Sequence, residues 1–217
     1  MRVGMSIKSI FYGVASCRRG VKPLFEPAHA LKALLLLYEK EPIGRNLLSK
    51  MLGIGVASTR TLIKRLKQYD LIFVDNVGGC LLTEKGKNIV TKIRGVVRKI
   101  EDISMIIAKD FMLGPHSWIA VIEDGVELAK KYGIIAIRDR LISYGAKAAL
   151  IIFVEDSAYI PPDKSLNESR YHTLRFLKEF LSLKYGDASI ISFADDPLTA
   201  EKALLNTIID VFLDIPM

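Results

Sequence analysis

Apolar residues recur at three- and four-residue spacing in several stretches of the first hundred positions. Pro27 opens one of them: Ala30, Leu31, Leu34, Leu35, Leu37 and Tyr38 leave a thin polar face at Lys32 and Glu39, so the spacing predicts a largely buried helix over 28–40. Glu41-Pro42 ends it, because the residue before a proline avoids the helical region. A short helix over 45–52 would bury Leu47, Leu48 and Met51, and Gly53-Ile54-Gly55 then makes a tight turn. A further helix is predicted over Val56–Tyr69, with Thr59, Leu62, Ile63, Leu66 and Tyr69 on one face. Leu71–Val74 and Cys80–Leu82 flank a Gly78-Gly79 turn and read as a hairpin. Thr83 is a good N-cap for a long basic helix reaching about Glu101, striped by Ile89, Ile93, Val96, Val97 and Ile100.

Beyond Asp102 the pattern changes. Runs of strand length, apolar on both faces, occupy 118–122, 148–154 and 188–193, with a short strand at Tyr159-Ile160 stopped by Pro161-Pro162. Helical spacing lies at about 126–132, 135–144, 168–184 and 198–213. Strands alternating with helices predict a mostly parallel sheet covered by helices. The expected fold is therefore α+β: an arm over 1–25, a winged helix-turn-helix over 26–103, and an α/β effector or dimerisation domain over 104–217.

Charge divides along the same line. Residues 1–100 carry 19 Lys and Arg against 6 Asp and Glu, whereas 101–217 carry 12 against 18. A basic first half points to a polyanion and an acidic second half to different work. Cys17 and Cys80 have neither CxxC spacing nor a neighbouring His cluster, which fits two reduced thiols in a cytoplasmic protein. No apolar run reaches the ~18–20 residues that a membrane span needs. Ile10–Cys17 ends like a lipoprotein cleavage site, but its apolar stretch is at the short end of the ~7–15 residues of a secretory core, so a strand or an arm is expected there.

The order helix, helix, turn, helix, hairpin, helix is that of a winged helix-turn-helix, whose last helix before the hairpin enters the major groove of duplex DNA. The apolar face of Val56–Tyr69 leaves Arg60, Thr61, Lys64 and Lys67 outward, with Arg65 at the edge. Arg60 and Thr61 are the expected base readers, since arginine presents paired donors to a guanine edge. Lys64, Arg65 and Lys67 are expected on phosphates, with Ser58 donating near the helix start. Arg45, Gly78, Gly79 and Lys85 complete the expected DNA-binding set. Dimers suit palindromic operators, so a homodimer is expected.

The second half holds no GxxxxGK[ST], GxGxxG or GxSxG motif, and His29, His116 and His172 lack metal-ligand spacing, so no catalytic residue, metal or cofactor is assigned. Arg138 and Asp139 before Gly145-Ala146, and Asp195 and Asp196 at a strand end, are the candidates for binding a small-molecule effector, because ligands gather at the carboxyl ends of strands.

Ile43-Gly44-Arg45, Leu52-Gly53-Ile54-Gly55, Arg60-Thr61-Leu62 and Leu82-Thr83-Glu84-Lys85-Gly86 resemble an uncharacterised archaeal family of winged-helix proteins. Ile137-Arg138-Asp139 followed by Gly145-Ala146-Lys147 looks like that family's C-terminal domain of unknown function, and the resemblance covers about residues 25–215. Ala148-Ala149-Leu150-Ile151 is more apolar than the small and hydroxyl residues the family carries there, which argues against a polar ligand contact. The resemblance implies a transcriptional regulator and supplies no ligand. The expected function is thus sequence-specific DNA binding. The alternatives are an α/β nucleotide- or cofactor-binding enzyme fused to a winged helix, and an architectural protein that binds DNA without sequence preference.

Overall fold

Ile7, Ile10, Phe11 and Val14 are buried at the spacing of one helical face, and Ser6 accepts a hydrogen bond from the backbone of Ser9. The first element is therefore a helix, α1 (Ile7–Ala15), where a strand or an arm was expected. Its leading N–H groups have no partner inside the helix; those of Ile7 and Lys8 donate to the carbonyls of Ile215 and Leu213, in the chain's last residues.

The computed structural model describes residues 6–18, 20, 22–75, 79–107 and 109–216, which divide into two compact units. The first takes in 1–93 and 213–217, the second 94–212.

In the first unit α1 is followed by α2 (Pro27–Lys40), α3 (Arg45–Leu52), α4 (Val56–Gln68), the hairpin β1 (Ile72–Asp75) and β2 (Gly79–Leu82), and α5 (Glu84–Arg94). Pro27 at the first helical position starts α2, and the backbone N–H of Glu26 donates to His29 Nδ1 at 3.0 Å. His29 is thus a capping residue. The hairpin pairs Ile72 with Leu82 and Asp75 with Gly79. Ile43, between α2 and α3, exchanges both backbone hydrogen bonds with Cys80 and adds a third extended segment. Gly79 (φ +103°) allows that approach, because a Cβ there would lie 2.8 Å from the Ile43 carbonyl oxygen. Thr83 Oγ1 donates to Asp70 O at 2.7 Å and accepts the N–H of Gly86 at 3.0 Å, which caps α5 as its sequence predicts. A Cβ at Gly86 would stand 2.1 Å from the Leu71 carbonyl oxygen. That contact accounts for the glycine of the Leu82-Thr83-Glu84-Lys85-Gly86 motif.

The predicted long helix stops early. α5 ends at Arg94, and Gly95-Val96 turns the chain into a strand, β3 (Val97–Asp102). Val96, Val97 and Ile100 continue the three- and four-residue spacing of α5, so the pattern alone did not separate strand from helix.

In the second unit β3 is followed by β4 (His116–Ile122), α6 (Gly125–Tyr132), α7 (Ile134–Ser143), β5 (Ala148–Val154), β6 (Ala158–Tyr159), α8 (His172–Phe180), β7 (Ala188–Ala194) and α9 (Pro197–Phe212). The sheet order is β3-β4-β7-β5-β6, and every neighbouring pair among the described residues is antiparallel. This corrects the expected parallel sheet. β4 and β5, joined through α6 and α7, do run the same way, since each is antiparallel to β7. β7 comes later in the chain and inserts between them, so no parallel pair forms. Ile119, Val121, Leu150, Ile152, Ile191 and Phe193 pack with Leu174, Leu177 and Leu181 on one face. α9 and α7 cover the other face. Burial on both faces is why the central strands are apolar throughout.

Candidate nucleic-acid interface

The turn between α3 and α4 follows from three residues. Gly53 takes the left-handed conformation (φ 69°, ψ 24°) that terminates α3, its N–H donating back to Lys50 O, and Ser49 Oγ donates to Ile54 O at 2.6 Å. The turn sets α4 against α3, with Thr59, Leu62, Ile63 and Leu66 buried. Thr59 and Thr61 donate their hydroxyls to the carbonyls of Gly55 and Ala57, at 3.1 and 3.2 Å.

The opposite face of α4 is basic and open. Arg60, Thr61, Lys64 and Lys67 are exposed, Ser58 is half-buried, and no acidic residue occurs in the helix. Arg60, Lys64 and Lys67 make no ion pair among the described residues. Arg45, the first residue of α3, is exposed as well.

Three of the residues expected to meet DNA are committed elsewhere. Arg65 is only 7 % exposed; its Nη1 donates to Val14 O and Ser16 O, both at 2.7 Å, and its guanidinium lies 5.3 Å from the centre of the Phe25 ring. Burial, followed by the charge of Arg18, lowers its pKa. It is a clamp on the end of α1, and its expected phosphate contact is corrected. Lys85 donates from Nζ to Tyr69 O at 2.9 Å, so it holds the C-terminus of α4. Gly79 serves the close approach of Ile43. Gly78 lies outside the described residues.

Two further cations, unassigned by sequence reading, lie along α4. Arg18, Lys22 and Leu24 lie across a groove of about 280 Å³ from Ala57, Ser58 and Thr61, with Arg65 also in its lining. A second groove, about 320 Å³, is lined by Arg18, Thr61, Lys64, Arg65 and Gln68. Arg18 Nη1 donates to Gln68 Oε1 at 2.5 Å. The signal was present as a cluster of basic residues just after Cys17, within a stretch read only as an arm.

In the second unit the four effector candidates do not form a shared cluster of contacts. Arg138 and Asp139 are exposed neighbours on α7, with Nε and Oδ1 3.8 Å apart. Asp195 pairs with Lys147 at 2.9 Å. Asp196 accepts the N–H of Thr199 at 2.9 Å at the start of α9, and hydrogen bonding from Thr199 lowers its pKa. The larger perturbation sits at Glu155, at the end of β5. Its carboxylate accepts from Lys130 at 2.8 Å, from Tyr159 at 3.1 Å and from Lys164, and the two lysines first of all bring its pKa down to about 2. No group of His, Cys, Asp and Glu among the described residues is placed to hold a metal ion. No helix among them is long and apolar enough to cross a membrane.

No curated protein matches this chain. Residues 29–88 match a PH0730-like, N-terminal domain, and residues 113–211 match a domain of unknown function, DUF4443. A solved structure, the hypothetical protein PH0730 from Pyrococcus horikoshii OT3, is similar with a TM-score of 0.65 and 28 % identity, over 85 % of this chain and 91 % of that one. In both halves, then, the chain has the likeness that its motifs carried: to an uncharacterised family with an archaeal representative of known structure.

Proposed function

We propose that the first unit is a winged helix-turn-helix, that it binds duplex DNA with the outer face of α4 in the major groove, and that the protein is a transcriptional regulator of the cytoplasm. One observation carries the reading: α4 buries one face and exposes Arg60, Lys64 and Lys67 on the other, with no acid in the helix. A solvated helix face of a small domain ordinarily mixes both signs. The hairpin β1–β2 serves as the wing.

The exposure and spacing of these side chains support a division of roles. Arg60, one turn into α4, reads a base edge, guanine being the best match for a two-donor guanidinium. Thr61 gives its proton to Ala57 O, so it faces a base as an acceptor. Lys64, Lys67, Ser58 and Arg45 meet phosphates and position the helix. Arg18 and Lys22 flank α4 and extend the phosphate contacts along the strand. The second unit supplies dimerisation, so that two copies of α4 read a two-fold site.

The test is a salt titration of binding to a random-sequence duplex, followed by enrichment from a random library. Affinity falling steeply with log salt is expected, because each neutralised phosphate releases counterions. A recurrent sequence in the enriched pool is expected as well. Absence of binding at low salt overturns the reading, and binding without enrichment makes the protein an architectural one.

A further inference from the structure

The exposed stripe of α7 is complementary to itself. Ile135 and Ile142 are 67 % and 43 % exposed, and the side chains of Arg138 and Asp139 between them are 58 % and 66 % exposed. Ile137 and Leu141 are buried on the opposite side, so the core already uses that face of the helix. At 3.6 residues per turn, positions 135, 138, 139 and 142 fall within an arc of about 100°. Their order along the chain, isoleucine, arginine, aspartate, isoleucine, has matching apolar ends and is antisymmetric in charge about the bond between Arg138 and Asp139.

Such a stripe matches a second copy of α7 laid antiparallel across it. A two-fold axis through that midpoint brings Ile135 against the partner's Ile142, and Arg138 against the partner's Asp139, twice over. Within one chain Arg138 Nε and Asp139 Oδ1 are 3.8 Å apart, beyond hydrogen-bond length, so both groups keep capacity for an outside partner. Arg140 does not compete, since it is engaged with Asp210 at 3.7 Å and Tyr132 at 3.3 Å. Single exposed isoleucines are ordinary on a protein surface. Two of them spaced around a charge pair that inverts onto itself form an isologous patch.

We infer that this chain self-associates as a two-fold dimer through α7, with reciprocal Arg138–Asp139 pairs between subunits. α7 has ten residues and is about 15 Å long, so it covers less than the roughly 800 Å² per partner of a standard interface. The free protein therefore dimerises weakly, with a dimer fraction that rises with its concentration.

Sedimentation velocity over a concentration series tests this without DNA, so its outcome is independent of whether α4 binds a duplex. Wild type is expected to shift from monomer to dimer. Arg138→Asp and Asp139→Arg each place like charges face to face and should weaken the dimer roughly tenfold or more. Mixing these two variants pairs an all-acidic stripe with an all-basic one and should restore a dimer, as should the double swap Arg138→Asp/Asp139→Arg within one chain. Unchanged thermal melts of these surface variants establish that folding is intact. The inference is overturned by a wild type that stays monomeric throughout, by single variants that dimerise as well as wild type, or by a loss that neither the mixture nor the swap repairs.

Discussion

Arg65 on α4 donates from Nη1 to the carbonyl of Val14 on α1 at 2.7 Å, tying together two helices about fifty residues apart in the chain. The same nitrogen reaches Ser16 O, so one guanidinium satisfies two carbonyls at the end of α1. Basic residues on one helix thus divide into a buried structural arginine and the exposed set of Arg60, Lys64 and Lys67.

Arg65→Met is expected to destabilise the first unit by about 1.5–3 kcal/mol, the cost of leaving carbonyls that a charged donor had satisfied. Urea unfolding followed by far-UV circular dichroism measures it. At temperatures where the variant stays folded, the salt slope of its DNA binding should equal that of wild type. A slope lower by about one unit would return Arg65 to the phosphate contacts.

Lys64→Ala and Arg60→Ala should separate affinity from specificity. Lys64→Ala lowers affinity for all duplexes alike and reduces the salt slope by about one. Arg60→Ala costs about 1–3 kcal/mol on the enriched sequence and little on random duplex. Fluorescence anisotropy on both duplexes gives the comparison, and equal losses for the two variants on both would mean that the roles are misassigned.

Gly86→Ala should be worse than Gly13→Ala, although the gaps are alike. A Cβ at Gly86 meets the Leu71 backbone carbonyl at 2.1 Å, whereas one at Gly13 meets the tip of the Tyr69 side chain at 2.0 Å. A side chain can swing away and a strand-edge carbonyl cannot, so overpacking at Gly86 reaches or passes the usual range of about 1–3 kcal/mol. Tyr69→Phe combined with Gly13→Ala should recover part of the smaller loss. Urea midpoints of wild type and the three variants check the order.

Acid should weaken the second unit through Glu155. Its folded-state pKa is about 2, below the ordinary glutamate value of 4.5, so the carboxylate contributes stability above 4.5 that is lost as pH falls toward 2. Trp118, the sole tryptophan, lies on β4 and reports on this unit by fluorescence. Denaturant midpoints of Glu155→Gln should lie below wild type near neutral pH and converge with it as pH approaches 2. A constant difference across that window would place the stabilisation elsewhere.

The legible part of this protein was the local part. The α3–α4 turn, the exposed row of Arg60, Thr61, Lys64 and Lys67, and the Thr83 cap all followed from spacings of a few residues, and the structure has them where the spacing placed them. Local reasoning failed where two periods coincided. Val96, Val97 and Ile100 satisfied a helical stripe and an edge strand equally well, and Ile7, Ile10, Phe11 and Val14 carried a helical period across Gly13, whose missing Cβ makes room for Tyr69.

By itself the chain determined α2, α3, α4 and the hairpin that follows them, where its charge concentrates, and which face of α4 is apolar, because each of these depends on residues within one or two turns of one another. The tertiary structure alone decided that β7 inserts between β4 and β5 and turns an expected parallel sheet antiparallel, and that Arg65 is buried while Lys64 beside it is not. Both depend on what arrives from far along the chain: a strand some forty residues after β5, and a helix some fifty residues before α4. Hydrophobic periodicity records that a face is covered, and says nothing of which distant segment covers it.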